Sequence, residues 1–197
     1  MSADRLARVL DRLDQLNRED PNTERVSGAA IPRELLYAQR LTDWVLKLDP
    51  RASEALRIAA RGQHVRRWTI PRERYPRGRA GYLKWRETLK AYHADTAAAV
   101  MRDAGYADEA IARVRLLMGK RKLGEDPDTQ TLEDALCLVF LETQFADLRR
   151  KTPDETMREV LRKTWKKMSA RARSEALRLP LAEEDREFLQ DSLGAQA

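Results

Sequence analysis

The chain has 197 residues, 42% hydrophobic and 36% charged, with a formal net charge of +6. That length suits one sizeable core, and the composition excludes a disordered or fibrous protein. A single Cys137, inside the apolar run from Leu136 to Leu141, excludes an internal disulfide and reads as a small core residue in a reducing compartment. The start, Met1-Ser2-Ala3-Asp4-Arg5, lacks the apolar stretch of a signal peptide. No window approaches the roughly 18 apolar residues of a membrane span, so a cytoplasmic protein with no membrane partner is expected.

Apolar spacing predicts helices almost throughout. Leu6, Val9, Leu10, Leu13 and Leu16 mark a helix over about 3–17, within an N-terminal segment 1–20. A polar loop follows, and Pro32 opens a second helix carrying Leu36, Leu41, Trp44, Val45 and Leu48. A third, about 51–67, buries Ala55, Ile58, Ala59 and Gly62 and ends before Ile70-Pro71. The stretch from Trp68 to Gly81 is longer than an ordinary helix connection and reads as a functional loop. A long helix over about 81–104 stops at Gly105, and Asp108 caps a short one containing Ile111, Val114 and Leu117. The segment 129–148 is apolar nearly all round and is placed at the centre of the bundle. Pro153 starts a further helix, and short helices over 169–179 and 182–193 complete a C-terminal set, 149–197, packed on the core. No segment alternates with period two. The expectation is therefore one all-α domain, 1–197, of about eight or nine helices.

The basicity is local. Residues 61–90 carry a net +8, residues 149–178 carry +7, and the remainder sums to −9. The C-terminal segment spaces its charges as a solvated helical face does. The first segment crowds Arg into a loop rich in Pro, Tyr and Gly, which points to an anionic ligand.

Asp134 shares a stripe with Leu138, Leu141 and Phe145, so a carboxylate is aimed at the core. Unpaired, it would cost several kcal/mol, which leaves a cation, read as an ion pair with a core-facing Arg such as Arg40, a metal, or a set of hydrogen-bond donors. His64 and His93, the only histidines, bracket the basic segment. Each alone reads as a surface or hydrogen-bonded residue, but with Asp134 they compose a divalent metal set. Convergence within about 5 Å is then required, because each metal bond is roughly 2 Å long. Trp68, Tyr75, Tyr82, Trp85 and Tyr92 interleave with Arg67, Arg72, Arg79, Arg86 and Lys90. That mixture suits a nucleotide or single-stranded nucleic acid, and equally tryptophans that anchor the core under Arg caps. No Walker loop, GxGxxG, CxxC, GxSxG or HExxH occurs.

The order Tyr37-Ala-Gln-Arg40, then Gly62-Gln63-His64-Val65, His93 and Glu133-Asp134-Ala135 resembles the histidine-aspartate (HD) metal-dependent phosphohydrolases. The likeness implies a helical fold holding a divalent metal. Tyr37 stands where the first His would be, Gln63-His64 where the His-Asp pair would be, and Asp134 matches the final Asp. Glu19-Asp20-Pro21-Asn22, Gln63-His64-Val65-Arg66-Arg67-Trp68, Arg79-Ala80-Gly81-Tyr82, Tyr92-His93-Ala94 and Lys163-Thr164-Trp165-Lys166-Lys167-Met168 resemble a bacterial and fungal domain-of-unknown-function family, numbered 4202. That likeness covers nearly the whole chain and carries no reaction with it.

The function expected from these readings is an HD-like protein that binds a divalent metal (Mn, Fe, Mg or Zn) through His64, His93 and Asp134. Arg67, Arg72, Arg86 and Lys90 would hold a phosphorylated ligand, bordered by Arg40, Gln63, Trp68 and Trp85. In catalysis the metal would polarise a phosphoryl oxygen and activate a water, with Glu133 as base. The alternatives are a non-catalytic module for RNA or a nucleotide, and a protein-interaction domain.

Overall fold

A computed structural model describes residues 2–120 and 122–194. It is all-α apart from one short hairpin, with ten α-helices among the described residues. They are α1 (Ser2–Arg18), α2 (Arg33–Leu48), α3 (Glu54–Gly62), α4 (Arg79–Asp103), α5 (Asp108–Met118), α6 (Pro127–Thr143), α7 (Phe145–Arg149), α8 (Asp154–Lys167), α9 (Ala170–Ala176) and α10 (Glu183–Leu193). Helix α6 is central, packing against α2, α3, α5, α8 and α9. Its Leu132, Ala135, Leu138 and Val139 are wholly shielded, as an all-round apolar helix requires. Helix α1 closes one side on α2, α3 and α4, while α10 packs on α8. One hydrophobic cluster runs from Leu6 to Leu193 and includes Cys137. No helix among the described residues is long and apolar enough to cross a membrane.

The departures from sequence expectation have local causes. The polar loop after α1 contains strands β1 (Thr23–Val26) and β2 (Ala29–Pro32), paired antiparallel. Ser27 and Gly28 both have positive φ, the requirement of a type I′ turn. The expected helix over 129–148 breaks at Gln144, whose φ of −125° leaves the helical range. Phe145 then turns inward against Phe188, with ring centroids 6.4 Å apart. Helix α5 starts at Asp108 itself, with Ala107 in the capping position.

Helix α3 is shorter than the expected 51–67. Ser53 caps its start by accepting from the Leu56 N–H at 3.1 Å. It ends at Gly62, where an added Cβ would lie 3.3 Å from that of Ala97, so α3 and α4 touch there. The chain then reverses through Arg66, a non-glycine residue at φ 54°. Two single 3₁₀ turns, Arg67–Thr69 and Arg72–Arg74, lead into α4. The loop folds back on the start of α4 so closely that a Cβ on Gly81 would lie 1.9 Å from the Pro76 carbonyl oxygen. Glycine is required there.

Candidate functional site

Pro32 immediately precedes helix α2, and its side chain supplies no cap to the orphan N–H groups of the first turn. Asp20, buried at the end of the segment after α1, supplies it from a distance: Oδ2 accepts the Glu34 N–H at 3.0 Å. Its Oδ1 accepts from the backbone and side-chain amides of Asn22, at 2.9 and 2.8 Å. This arrangement fixes Glu34, which is 7% exposed, at the floor of a cleft of about 390 Å³. The cleft is walled by Asn22, Arg33, Arg67, Trp68 and Trp85.

Glu34 lies between a histidine and an arginine. Its Oε2 lies 3.2 Å from His64 Nδ1, and its Oε1 lies 3.9 Å from Arg67 Nε. Burial pushes its acid up to about 7; Arg67 opposes the rise and the neighbouring charge of Asp20 adds to it. His64 is held well below the ordinary imidazole range, by burial first and then by Arg67 and Lys120. Tyr37 stacks on the His64 ring, with centroids 4.0 Å apart and planes 11° from parallel. A neutral imidazole therefore faces an acid that is half-ionised near neutral pH.

His93 stands behind this pair, its ring 5.9 Å from that of His64. Its Nδ1 is 2.8 Å from the Val65 carbonyl oxygen. A carbonyl only accepts, so the proton sits on Nδ1 and the buried Nε2 presents a bare lone pair without a hydrogen-bond partner. Burial, then the neighbouring His64, brings the His93 imidazole down to about 3. At the cleft wall the Arg67 guanidinium lies 4.7 Å over the Trp85 ring, whose Nε1 donates to the Ile70 carbonyl at 2.8 Å. A fixed ring thus carries a cation beside the acid.

The sequence-derived residues divide. His64, Arg67, Trp68 and Trp85 meet at or directly behind the cleft, with His93 next to His64. Asp134 belongs to another junction: Oδ1 accepts from Gln130 Nε2 at 2.9 Å and from the Ser169 N–H at 2.8 Å, and Oδ2 accepts from Ser169 Oγ. It tethers the start of α9, whose cap is Ser169. Among the described residues no three His, Cys, Asp or Glu side chains are arranged to hold a metal ion, so the donors do not compose the three-ligand set that the HD likeness implies. Nor does Arg40 pair with Asp134; it reaches Glu24 on β1 at 3.3 Å.

Glu133 is buried beside Lys120 at 2.8 Å and Lys167 at 3.3 Å. Burial pushes its acid up, but the two ammonium groups together outweigh it and hold the group below the usual carboxylate range. A carboxylate so stabilised is a poor general base. Arg72 donates to the carbonyls of Tyr75 and Pro76, both at 2.9 Å, and so fixes the loop. Lys90 pairs with Glu87 at 2.9 Å, and Arg86 lies over Tyr82. The Oε1 of Gln63 is buried without a hydrogen-bond partner.

Sequence reasoning missed Glu34, Asp20, Asn22 and Arg33. The signal for Glu34 was present, since it precedes Ala38 and Leu41 by four and seven residues and so shares their buried stripe. The argument applied to Asp134 holds for it without change.

The sequence model of the family described as domain of unknown function (DUF4202) matches residues 7–189, and the chain belongs to that family. No curated protein and no solved structure matches it.

Proposed function

We propose that this DUF4202 domain binds a small phosphorylated ligand in the Arg33–Arg67–Trp85 cleft and moves a proton on it through Glu34. The observation that carries the reading is the position of the Glu34 carboxylate, between the His64 imidazole and the Arg67 guanidinium at the cleft floor. An acid brought to about 7 is matched to proton transfer at neutral pH in either direction. His64 is within reach to exchange a proton with the Glu34 oxygen that faces away from Arg67. Arg67, backed by Trp85, presents the free edge of its guanidinium to phosphate oxygens. Trp68 supplies a flat apolar wall for the body of the ligand.

The test combines binding with turnover. Nucleoside monophosphates and inorganic phosphate are titrated against tryptophan fluorescence, and a panel of phosphorylated metabolites is followed by phosphorus NMR. Arg67→Ala should weaken binding by at least about tenfold, the loss of one charge-assisted contact. Glu34→Gln should retain binding and lose turnover. Failure of every phosphorylated probe to bind, or equal binding by Arg67→Ala, overturns the reading. Metal content is measured on protein purified without a His tag. Stoichiometric Mn, Fe, Mg or Zn that disappears in His64→Ala would replace the acid-base reading by a metal-dependent one.

A further inference from the structure

Many arginines elsewhere on the surface have an acidic partner: Arg8 holds Asp4, Arg61 holds Asp14 and Arg113 holds Asp126 and Asp128. The face formed by the 74–78 loop and the first half of α4 differs. Arg74, Arg77, Arg79, Lys84 and Arg86 are exposed. Among the described residues none of their side chains makes a hydrogen bond or an ion pair, unlike those of Arg8, Arg61 and Arg113. Arg79 feels Glu159 weakly, but that carboxylate already holds Lys163. The segment's own acid Glu87 is occupied by Lys90. The concentration of cations also opposes stability, because it sits at the electropositive start of a helix with no acidic residue in its first turn.

The same face turns large side chains outward. Between Arg79 and Thr88 only Gly81 is buried, whereas Tyr82 is 42% and Leu83 50% exposed. A surface helix ordinarily buries such residues along one stripe. Tyr82 leans on Trp85, with centroids 5.9 Å apart, and Arg86 lies 5.7 Å over its ring. Rings and unpaired cations therefore alternate outward from the cleft wall along α4 and into the loop. Single-stranded nucleic acid is the anion that uses both, since its phosphates take the cations and its bases stack on the rings. An acidic peptide would leave the ring idle, and two exposed apolar residues are few for a lipid surface.

We infer that this face binds single-stranded nucleic acid, its phosphates on Arg77, Arg79, Lys84 and Arg86 and a base on Tyr82. The inference needs no proton transfer at Glu34 and stands apart from it. Fluorescence anisotropy of the full chain with short labelled oligouridylate and oligothymidylate tests it across a salt series, the two arms separating RNA from DNA. The slope of log affinity against log salt should be about −3 for four phosphates. The triple variant Arg77→Ala, Arg79→Ala, Lys84→Ala should weaken low-salt binding at least about tenfold and bring the slope to about −1. Tyr82→Ala should weaken binding about tenfold and leave the slope unchanged. Lys151→Ala with Lys166→Ala, in the other basic segment and away from Glu159, should change neither. All these positions are exposed, so melting temperature serves as the folding control. The inference is overturned if neither oligonucleotide binds, if the triple variant keeps the affinity and slope, if the lysine control removes binding, or if polyglutamate or phosphatidylserine vesicles bind as well as the oligonucleotides.

Discussion

Replacing Glu34 by Gln keeps the shape of the side chain and removes its charge. In the folded protein the acid is raised from an ordinary 4.5 to about 7. Raising a carboxyl means that folding disfavours its ionised form. Stability is therefore complete below about pH 4.5, declines as pH rises, and reaches its full loss above about 7. At about 1.4 kcal/mol for each pH unit the loss is about 3 kcal/mol on the alkaline side and about 0.8 kcal/mol at pH 5. Glu34→Gln never carries this cost. The lost Arg67 contact is long, 3.9 Å, and Arg67 is a third exposed, so solvent screening makes it a small opposing effect. For a domain of this size about 1 kcal/mol moves the melting temperature by about 2–4 °C. The variant should gain about 5–10 °C more over wild type at pH 8 than at pH 5. Circular dichroism melts of both proteins across pH 5–8 measure this, and the histidine contributions largely cancel in the difference. A constant offset between the two curves would show that Glu34 is ionised normally, and the proton-transfer role would fall with it.

The acid side should be governed by the histidines. His93 is pulled down to about 3, so its stability is present above about pH 6.5 and is lost as pH falls; at pH 5 the loss is about 2 kcal/mol, and His93→Gln should flatten this limb of the melting curve while parallel limbs would refute it. Asp134→Ala removes the acceptor of Ser169 and Gln130 and should cost about 3 kcal/mol, with faster amide exchange in α9 and unchanged ligand titrations at the cleft; a loss of ligand affinity would return Asp134 to the site. Gly81→Ala drives a Cβ against the Pro76 carbonyl, and should cost on the order of 2 kcal/mol and open the 72–78 loop to proteolysis, whereas an unchanged melt and digest would show that the loop is not packed there.

The helical periodicity was enough to find every long helix and the central place of α6, because burial of an apolar stripe is a local, repeated signal. The β1–β2 hairpin escaped it, since two four-residue strands carry too little alternation and only Ser27-Gly28 marked the turn. At the site, the need to compensate a carboxylate on an apolar stripe was a sound inference. What periodicity could not supply was the identity of the partner. Asp134 is satisfied by a backbone N–H and a hydroxyl 35 residues away, and backbone donors leave no trace in composition. Glu34 is held from Asp20, 14 residues back, through a hairpin that was itself missed. Once the hairpin is seen, Asp20 and Glu34 become neighbours, and the cleft follows.

The organisation of the site rests on four consecutive residues. His64 faces Glu34 on α2, the Val65 carbonyl accepts the His93 Nδ1–H from α4, the Arg66 N–H donates to Asn17 Oδ1 on α1, and Arg67 covers Trp85. A continued α3 would space those groups 100° apart around its axis and direct several of them away from the cleft. The left-handed turn at Arg66 prevents this, at a cost of about 1 kcal/mol for a residue with a Cβ. Asn17 is fully buried at the end of α1, so the strained turn is fixed by the packing of a whole helix. Strain at Arg66, held by a buried amide beside an acid raised to about 7, is the combination that supports the role proposed for this cleft.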